Sequence, residues 1–397
     1  MTAHPENDRA SLAERRPGAG CILCGATTEL LRAFPRSVTS ESKLLPAASA
    51  LRLCASCGHL QSTVDLDLAE YYAQSYDSVL SDEGPDELVS TADGRIVFRT
   101  DVDFEIMSRH LADDLARSPS IFELGCGRGR ILSRLHKAGH RKLAAFDLSE
   151  LYRAPVTPFL APGGLYIGTR PTDVSFDVAI SFFMLEHDVD PVGSLLYLRE
   201  RLHPAGKLFL MLPSYVTNTV DLACADHVNH FSPTTLTALV AATGFRVLTV
   251  DDTSAIGAVV VVATPDGPPV SRADLRLASP ERVALGRASS AEFLDYAARL
   301  ESLAAGLRAD RVALYGAGFY GTLVQARLEA AGLRVTDLFD ANPRKQGQTR
   351  LGLTVRSPDA LAAGGFGDVD LVMCINPRIA ASVGEKFASH VRAVHVV

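Results

Sequence analysis

The stretch "PSIFELGCGRGRILSRLHKAGHRKLAAFDLSE", Pro119–Glu150, decides the fold. Its apolar run Ile121–Leu124 ends in Gly125-Cys126-Gly127-Arg128-Gly129. A helical pattern follows, with Ile131, Leu132 and Leu135 on one face. A second short strand, Lys142–Phe146, then ends in Asp147. Strand, glycine loop, helix, strand and acid make one half of a doubly wound sheet, with a nucleoside site at the C-terminal edge of its strands. The glycines permit close backbone approach, and an acid ending the second strand can hold two ribose hydroxyls. Dinucleotide sites of this layout read G-x-G-x-x-G and set a pyrophosphate on the helix N-terminus. Here Glu123 stands two residues before Gly125. A carboxylate there suits a cationic amino group better than a pyrophosphate.

Bulk properties frame this core. A chain of 397 residues exceeds one ordinary core, so two or three domains are expected. With 47% hydrophobic and 21% charged residues the composition is that of a soluble globular protein. No apolar run approaches the roughly 20 residues of a membrane span. The polar N-terminus, residues 1–18, reads as a disordered leader without a secretory core, so a cytoplasmic setting without membrane partners is expected. A net charge of −7 argues against nucleic acid as a partner and leaves a small molecule. Any anionic substrate then needs a local patch of Arg and Lys.

Four of the seven cysteines fall in two C-x2-C pairs, Cys21–Cys24 and Cys54–Cys57. Each pair sets two thiolates on one tight turn, and two such knuckles supply the four soft ligands of tetrahedral Zn²⁺. A closed four-thiolate site has no open position, so the metal is expected to be structural. Gly58 follows the last thiol where a positive φ turns N–H groups toward sulfur, and His59 is available as a substitute ligand.

Near the C-terminus the strand–glycine–helix pattern returns in "RVALYGAGFYGTLVQARLEAAGLRVTDLFDANPRKQG". Gly316, Gly318 and Gly321 complete G-x-G-x-x-G and Asp340 ends the next strand, a layout that by itself suggests NAD and an oxidoreductase. Arg344, Lys345, Arg350 and Arg378 lie at or beyond strand ends, where their cations suit a diphosphate, and Asn376, which ends a strand just before Arg378, is placed on the same substrate side. The expected order is a leader (1–18), a zinc-binding segment (19–75) and a cofactor-binding domain (76–268). A helical linker (269–309) and a second, smaller Rossmann-like domain (310–397) for substrate complete it.

"ELGCGRG" resembles the first motif of class I S-adenosylmethionine-dependent methyltransferases, and "SFDVAISFFMLEHDVDP" and "LRERLHPAGKLFLMLPS" resemble their fourth and fifth strands with the adjoining turns. The resemblance implies that Glu123, Gly125, Gly127 and Gly129 hold the methionine part of the cofactor and Asp147 its ribose. With "CGHLQ", "MLEHDVDP", "ADHVNHFS", "DANPRKQG" and "CINPRIA" added, residues 20–397 resemble the sugar C-methyltransferases that act on nucleotide-bound 4-keto-deoxyhexoses in natural-product pathways. This implies zinc at the four cysteines and a C-terminal domain that encloses a nucleotide sugar without NAD. It implies His227 as general base, Asp226 as its supporting carboxylate, His187 as a second active-site imidazole, and Tyr72 or Tyr76 as a cover. The family often has Tyr where this chain has Cys224, which places Cys224 on the substrate side. The tract between the knuckles, "AFPRSVTSESKLLPAASA", also departs from the family's wording.

The chemistry implied is removal of a proton α to a ketone by His227, with His187 or a tyrosine donating to the enolate oxygen, and no metal needed for that step. O- or N-methylation of a sugar or other small intermediate is the alternative within the same class. His230 is expected to be structural, just ahead of a helix starting at Ser232-Pro233, and Cys126 and Cys374 to be packing.

Overall fold

The computed structural model describes residues 20–76, 88–90, 96–255, 257–307, 310–375 and 377–396. The leader and Asn376 lie outside the described residues, as does the side chain of Arg378. The chain divides into two compact units, and the division differs from the expected boundaries. The larger unit takes residues up to 33, 49–221 and 226–287; the smaller takes 34–48, 222–225 and 288–397. The segment expected to bind zinc is not a unit of its own in this division, and its inter-knuckle tract belongs to the smaller unit.

In the larger unit β1 (Thr28–Phe34), β2 (Ser49–Cys54) and β3 (Leu60–Val64) precede α1 (Arg99–His110). Then come β4 (Ile121–Leu124), α2 (Arg130–Lys137), β5 (Leu143–Asp147), β6 (Leu165–Ile167) and β7 (Phe176–Phe182). The chain continues through α3 (Pro191–Arg201), β8 (Leu202–Pro213), β9 (Asn229–His230), α4 (Pro233–Ala242), β10 (Phe245–Asp251) and β11 (Ala258–Pro265). Seven of these strands form one sheet in the order β6-β5-β4-β7-β8-β11-β10. The pairs from β6 to β8 are parallel, and β11 and β10 add an antiparallel edge. The order turns back between β4 and β7, so the crevice outside their C-terminal ends is where a doubly wound sheet takes its ligand.

The sequence explains the layers. β11 reads AVVVVATP and is buried along its whole length, as a strand covered on both faces must be. Ile131, Leu132 and Leu135 of α2 are buried, while Arg134, His136 and Lys137 stand in its last turn. Asp190 caps α3, its carboxylate accepting from Gly193 N–H at 3.1 Å, and Pro191 opens the helix. Ser232 caps α4 with Thr235 as reciprocal partner, so the helix starts where the sequence placed it.

The second sheet of this unit runs β1-β2-β3-β9. Its last strand comes from the "ADHVNHFS" loop: Asn229 pairs with Gln61 and His230 with Leu60. The cysteine-bearing segment and the cofactor-binding domain are thereby joined by backbone hydrogen bonds. The helix α5 (Pro280–Gly306) begins in the larger unit, and the division falls inside it.

The smaller unit carries β12 (Arg311–Tyr315), α6 (Phe319–Ala330), β13 (Val335–Phe339), β14 (Thr349–Arg350), β15 (Leu353–Arg356), β16 (Val369–Met373), α7 (Pro377–Gly384) and β17 (Ala393–Val396). Its sheet runs β14-β15-β13-β12-β16-β17, parallel except for β14. This is the second, smaller Rossmann-like domain that the repeat of the glycine motif implied.

Candidate active site

The cofactor side is built at the ends of β4 and β5. Gly125, Gly127 and Gly129 all have positive φ, at 76°, 49° and 68°, so the turn is closed to L side chains. A Cβ on Gly125 would lie 2.2 Å from Met184 Cγ, whereas at Gly127 it would meet nothing within 4 Å. Gly127 therefore faces open space. Its N–H donates to Asp147 Oδ2 at 2.8 Å, and Ser149 N–H donates to Asp147 Oδ1 at 3.0 Å. Those bonds fix the carboxylate at the strand end while leaving lone pairs for hydroxyl donors. Glu123 is 3% exposed and its Oε2 has no hydrogen-bond partner. Burial, with Asp147 nearby, holds its carboxyl well above the usual range. An orphaned buried carboxyl beside an open glycine turn fits a ligand that brings its own cation, as the amino group of S-adenosylmethionine does.

The acid–base side forms where the turn after β7 meets the loop around β9. Asn229 is the clasp. Its Nδ2 donates to Leu185 O at 3.1 Å and to Asp188 O at 2.6 Å, and its backbone N–H donates to Glu186 O at 2.9 Å. His59 Nε2 reaches Asn229 Oδ1 at 3.1 Å, so His59 serves this clasp rather than the cysteine cluster. His187 and His227 are thereby set with ring centroids 4.7 Å apart and planes 81° from parallel.

The carboxylate that holds His227 is Asp221, not Asp226. Asp221 Oδ1 accepts from His227 Nδ1 at 2.6 Å and Oδ2 from His230 Nδ1 at 2.9 Å. Burial alone would raise Asp221, but the two imidazoles override it and hold the carboxyl far below its ordinary value. With Nδ1 donating to a carboxylate, the basic lone pair of neutral His227 is on Nε2. His230 is fully buried between Asp221 and Ser62, whose hydroxyl lies 2.8 Å from Nε2; it shares the Asp221 carboxylate with His227.

Asp226 serves His187 instead. His187 Nδ1 lies 3.0 Å from Asp226 O and 2.8 Å from the Tyr72 hydroxyl, which itself donates to Asp226 O at 2.9 Å. A carbonyl oxygen only accepts, so His187 carries its proton on Nδ1. Burial and the neighbouring His227 push its pKa down to about 4, so the ring is neutral at pH 7. The single N–H of His187 is spent on that contact, which removes it as donor to an enolate. Tyr76 stacks edge-on to Tyr72 at 5.0 Å and lies 5.8 Å from the His187 ring, completing an aromatic wall. Ser149 Oγ donates to Ala73 O at 3.1 Å and ties the tyrosine tract to the turn after β5.

Two residues of this site were not singled out from the sequence. Asp221 stands six positions before His227, in a stretch with no pattern to mark it. Glu186 precedes His187 in "LEHD"; it is 2% exposed, its Oε2 has no partner, and burial pushes its pKa up to about 7.

The four cysteines come together as the spacing implied. Their sulfurs all lie within 4.8 Å of one another, with Cys21–Cys57 at 3.7 Å and Cys24–Cys54 at 3.5 Å. Tetrahedral Zn–S bonds of about 2.3 Å require sulfurs about 3.8 Å apart, so the cluster fits zinc. The N–H groups of Ser56 and Cys57 point at Cys54 Sγ, each at 3.4 Å. Gly58 has φ +75°, and a Cβ there would lie 2.2 Å from the backbone of Arg282 in α5.

In the smaller unit the glycine motif packs upon itself. A Cβ on Gly321 would lie 2.2 Å from Gly316 O, and one on Gly316 2.2 Å from Cys374 O. Asp340, placed by the sequence where a ribose would sit, already accepts from Ala317 N–H at 2.8 Å, Lys345 Nζ at 3.1 Å and Asn342 N–H at 2.8 Å. Lys345 is thus paired at the loop, while Arg344 N–H donates to Asn342 Oδ1 and Arg350 pairs with Gln348. Cys224 also belongs to this unit, where it is 2% exposed and forms a β-bridge with Val38. Cys126 and Cys374 are buried, as packing residues are.

Residues 104–250 match the model of a family described as a methyltransferase domain. None of the curated proteins compared matches the chain. Among solved structures the chain is similar to the CcbJ methyltransferase from Streptomyces caelestis, at 13% identity over 43% of this chain and 89% of that one, with a TM-score of 0.34. It is similar to the glycopeptide N-methyltransferase MtfA at 18% identity, over 41% of this chain and 90% of that one, with a TM-score of 0.33. A 1,6-didemethyltoxoflavin-N1-methyltransferase from Burkholderia thailandensis gives 18% identity over 41% and 78%, with a TM-score of 0.33. Similarity of that degree carries no argument about substrate. Residues 104–250 thus carry a methyltransferase domain, and the sheet order and glycine turn on the cofactor side fit a class I core that takes S-adenosylmethionine. No helix among the described residues is long and apolar enough to cross a membrane.

Proposed function

We propose that the protein methylates carbon, at a position α to the ketone of a nucleotide-linked deoxysugar, using His227 as the base. The observation that carries this reading is the Asp221–His227 contact at 2.6 Å, which fixes the tautomer with Nε2 basic at the C-terminal edge of the sheet. A carbon nucleophile has to be made before it can attack, and a heteroatom nucleophile does not demand so prepared a base. His227 Nε2 takes the α-proton, and the Asp221 carboxylate stabilises the imidazolium that results. The electron pair left on the acceptor becomes an enolate, for which Tyr76 is the donor of choice once His187 and Tyr72 are accounted for. S-adenosylmethionine supplies an electrophilic sulfonium methyl, held by Glu123, the glycine turn and Asp147. Transfer then depends on placing carbon, methyl and sulfur in line.

The four thiolates hold a structural zinc, and the smaller unit takes the nucleotide diphosphate through Arg344, Lys345, Asn376 and Arg378, with Cys224 on the substrate side. The setting is cytoplasmic, in a natural-product pathway. His227→Asn tests the reading: turnover is lost while affinity for S-adenosylhomocysteine is kept. Near-normal turnover in that variant removes His227 from the base role.

A further inference from the structure

The hydrogen bonds behind His227 do not end at Asp221. Strand β3, which follows the second cysteine knuckle, pairs with β9 so that His230 lies opposite Leu60, and Ser62 N–H donates to Val228 O at 3.2 Å. That register sets the Ser62 hydroxyl 2.8 Å from His230 Nε2, while His230 Nδ1 lies 2.9 Å from Asp221 Oδ2. Asp221 Oδ1 in turn lies 2.6 Å from His227 Nδ1. Ser62, His230 and Asp221 are all buried, so the line is closed to bulk water.

Donors and acceptors can be placed along it. Burial acts to raise the Asp221 carboxyl, but the two imidazoles override it, so the group is ionised and only accepts. His230 therefore carries a proton on Nδ1. Burial pushes its pKa below the ordinary imidazole value, against the pull of Asp221, so the ring is neutral at pH 7 and its Nε2 accepts. The Ser62 hydroxyl is the donor placed to meet that lone pair.

We propose that Ser62 and His230 are positioning residues for the base: they orient and polarise Asp221, and through it they set the basicity of His227. The proposal deepens the role given to His227 in methyl transfer and rests on it. The effect has a sign. An N–H donated to Asp221 Oδ2 draws negative charge from the carboxylate, which then stabilises the His227 imidazolium less than an unassisted carboxylate would. The bond from Ser62 makes His230 a stronger donor and acts in the same direction. His230 thereby keeps the base from being too firmly protonated to accept the α-proton at neutral pH. The other groups facing His227 are Glu186 and His187, from the turn after β7. Asp226 stands beside His187, and Arg99 of α1 acts on Glu186. The substitutions below leave all four in place.

The test follows the His227 imidazole of the full-length protein by NMR as pH is varied, beside the pH dependence of kcat/KM. His230→Leu removes the donor and should raise the pKa of His227 by about one pH unit, the low end of what a neighbouring charge exerts. The acidic limb of kcat/KM moves up with it. His230→Asn keeps an N–H near the Nδ1 position and should return both toward the parent. Ser62→Ala should shift His227 the same way by less, and should shift nothing further in the His230→Leu background. A purely structural pair would lower the melting temperature and leave the His227 titration where it was. An unmoved His227 titration in His230→Leu, or an equal effect of Ser62→Ala in both backgrounds, overturns the proposal. If His230→Leu does not fold, Ser62→Ala is read in its place, and an unmoved titration there is equally fatal. A shifted His227 titration with an unmoved limb of kcat/KM instead refutes His227 as base, and leaves Ser62 and His230 in their role on Asp221.

Discussion

Replacing Asp221 tests how the site is held together. The carboxylate is 5% exposed and accepts two imidazole N–H bonds, at 2.6 and 2.9 Å. A hydrogen bond to a charged group contributes about 1.5–3 kcal/mol, and removing one partner of a buried charged set costs about 3–5 kcal/mol. Asp221→Ala leaves both imidazole donors buried and unpaired, so it should destabilise the larger unit by about 3–5 kcal/mol. Asp221→Asn keeps one acceptor oxygen but turns an amide toward the other ring, for a loss of about 1.5–3 kcal/mol. The sign with pH follows from the depressed carboxyl. Its stabilisation is complete above the unfolded value of about 3.9 and disappears as pH falls toward the folded one. The gap between parent and Asp221→Ala should therefore persist at neutral pH and close on acidification below about pH 4. Urea unfolding followed by tyrosine fluorescence measures it, since the chain has no Trp. A loss under about 0.5 kcal/mol for Asp221→Ala, the size expected of an exposed polar residue, refutes the central place given to this carboxylate.

Other perturbations probe other parts. Glu123 is held well above the ordinary carboxylate range by burial, so its protonated form persists in the cofactor-free protein as pH rises. Affinity for S-adenosylhomocysteine should then increase with pH through the titration of Glu123, and Glu123→Gln should bind weakly with that dependence gone; a pH-independent parent contradicts this. Cys54→Ser should lose metal by mass spectrometry and destabilise the larger unit, since Cys54 also anchors two backbone N–H groups. Gly58→Ala places a Cβ 2.2 Å from the Arg282 backbone at φ +75°, and should lower the melting temperature without changing the zinc content.

The fold was legible where glycine, apolar runs and acids sit at fixed offsets. Pro119–Glu150 carried the parallel sheet, and the repeated motif at Gly316 carried the second one. The C-x2-C pairs announced their cluster for the same reason, because two knuckles have few other arrangements. What could not be read was anything set by long-range strand exchange. The pairing of Asn229 with Gln61 makes "ADHVNHFS" an edge strand of the cysteine-bearing sheet, and no local pattern encodes that partner. The assignment of Asp226 to His227 followed adjacency in sequence. In the folded chain residues 222–225 leave for the smaller unit, and Asp221 turns back to meet both His227 and His230.

The central claim is that a carbon is methylated after His227 removes its proton. The most direct measurement is incubation in heavy water with S-adenosylmethionine and a panel of nucleotide-linked keto-sugars, read by mass spectrometry and proton NMR. The account predicts a product heavier by one methyl. It also predicts washout of the acceptor's α-proton that persists with S-adenosylhomocysteine in place of the methyl donor and is absent in His227→Asn. Gain of a methyl with the α-proton fully retained would place the methyl on oxygen or nitrogen and contradict the account.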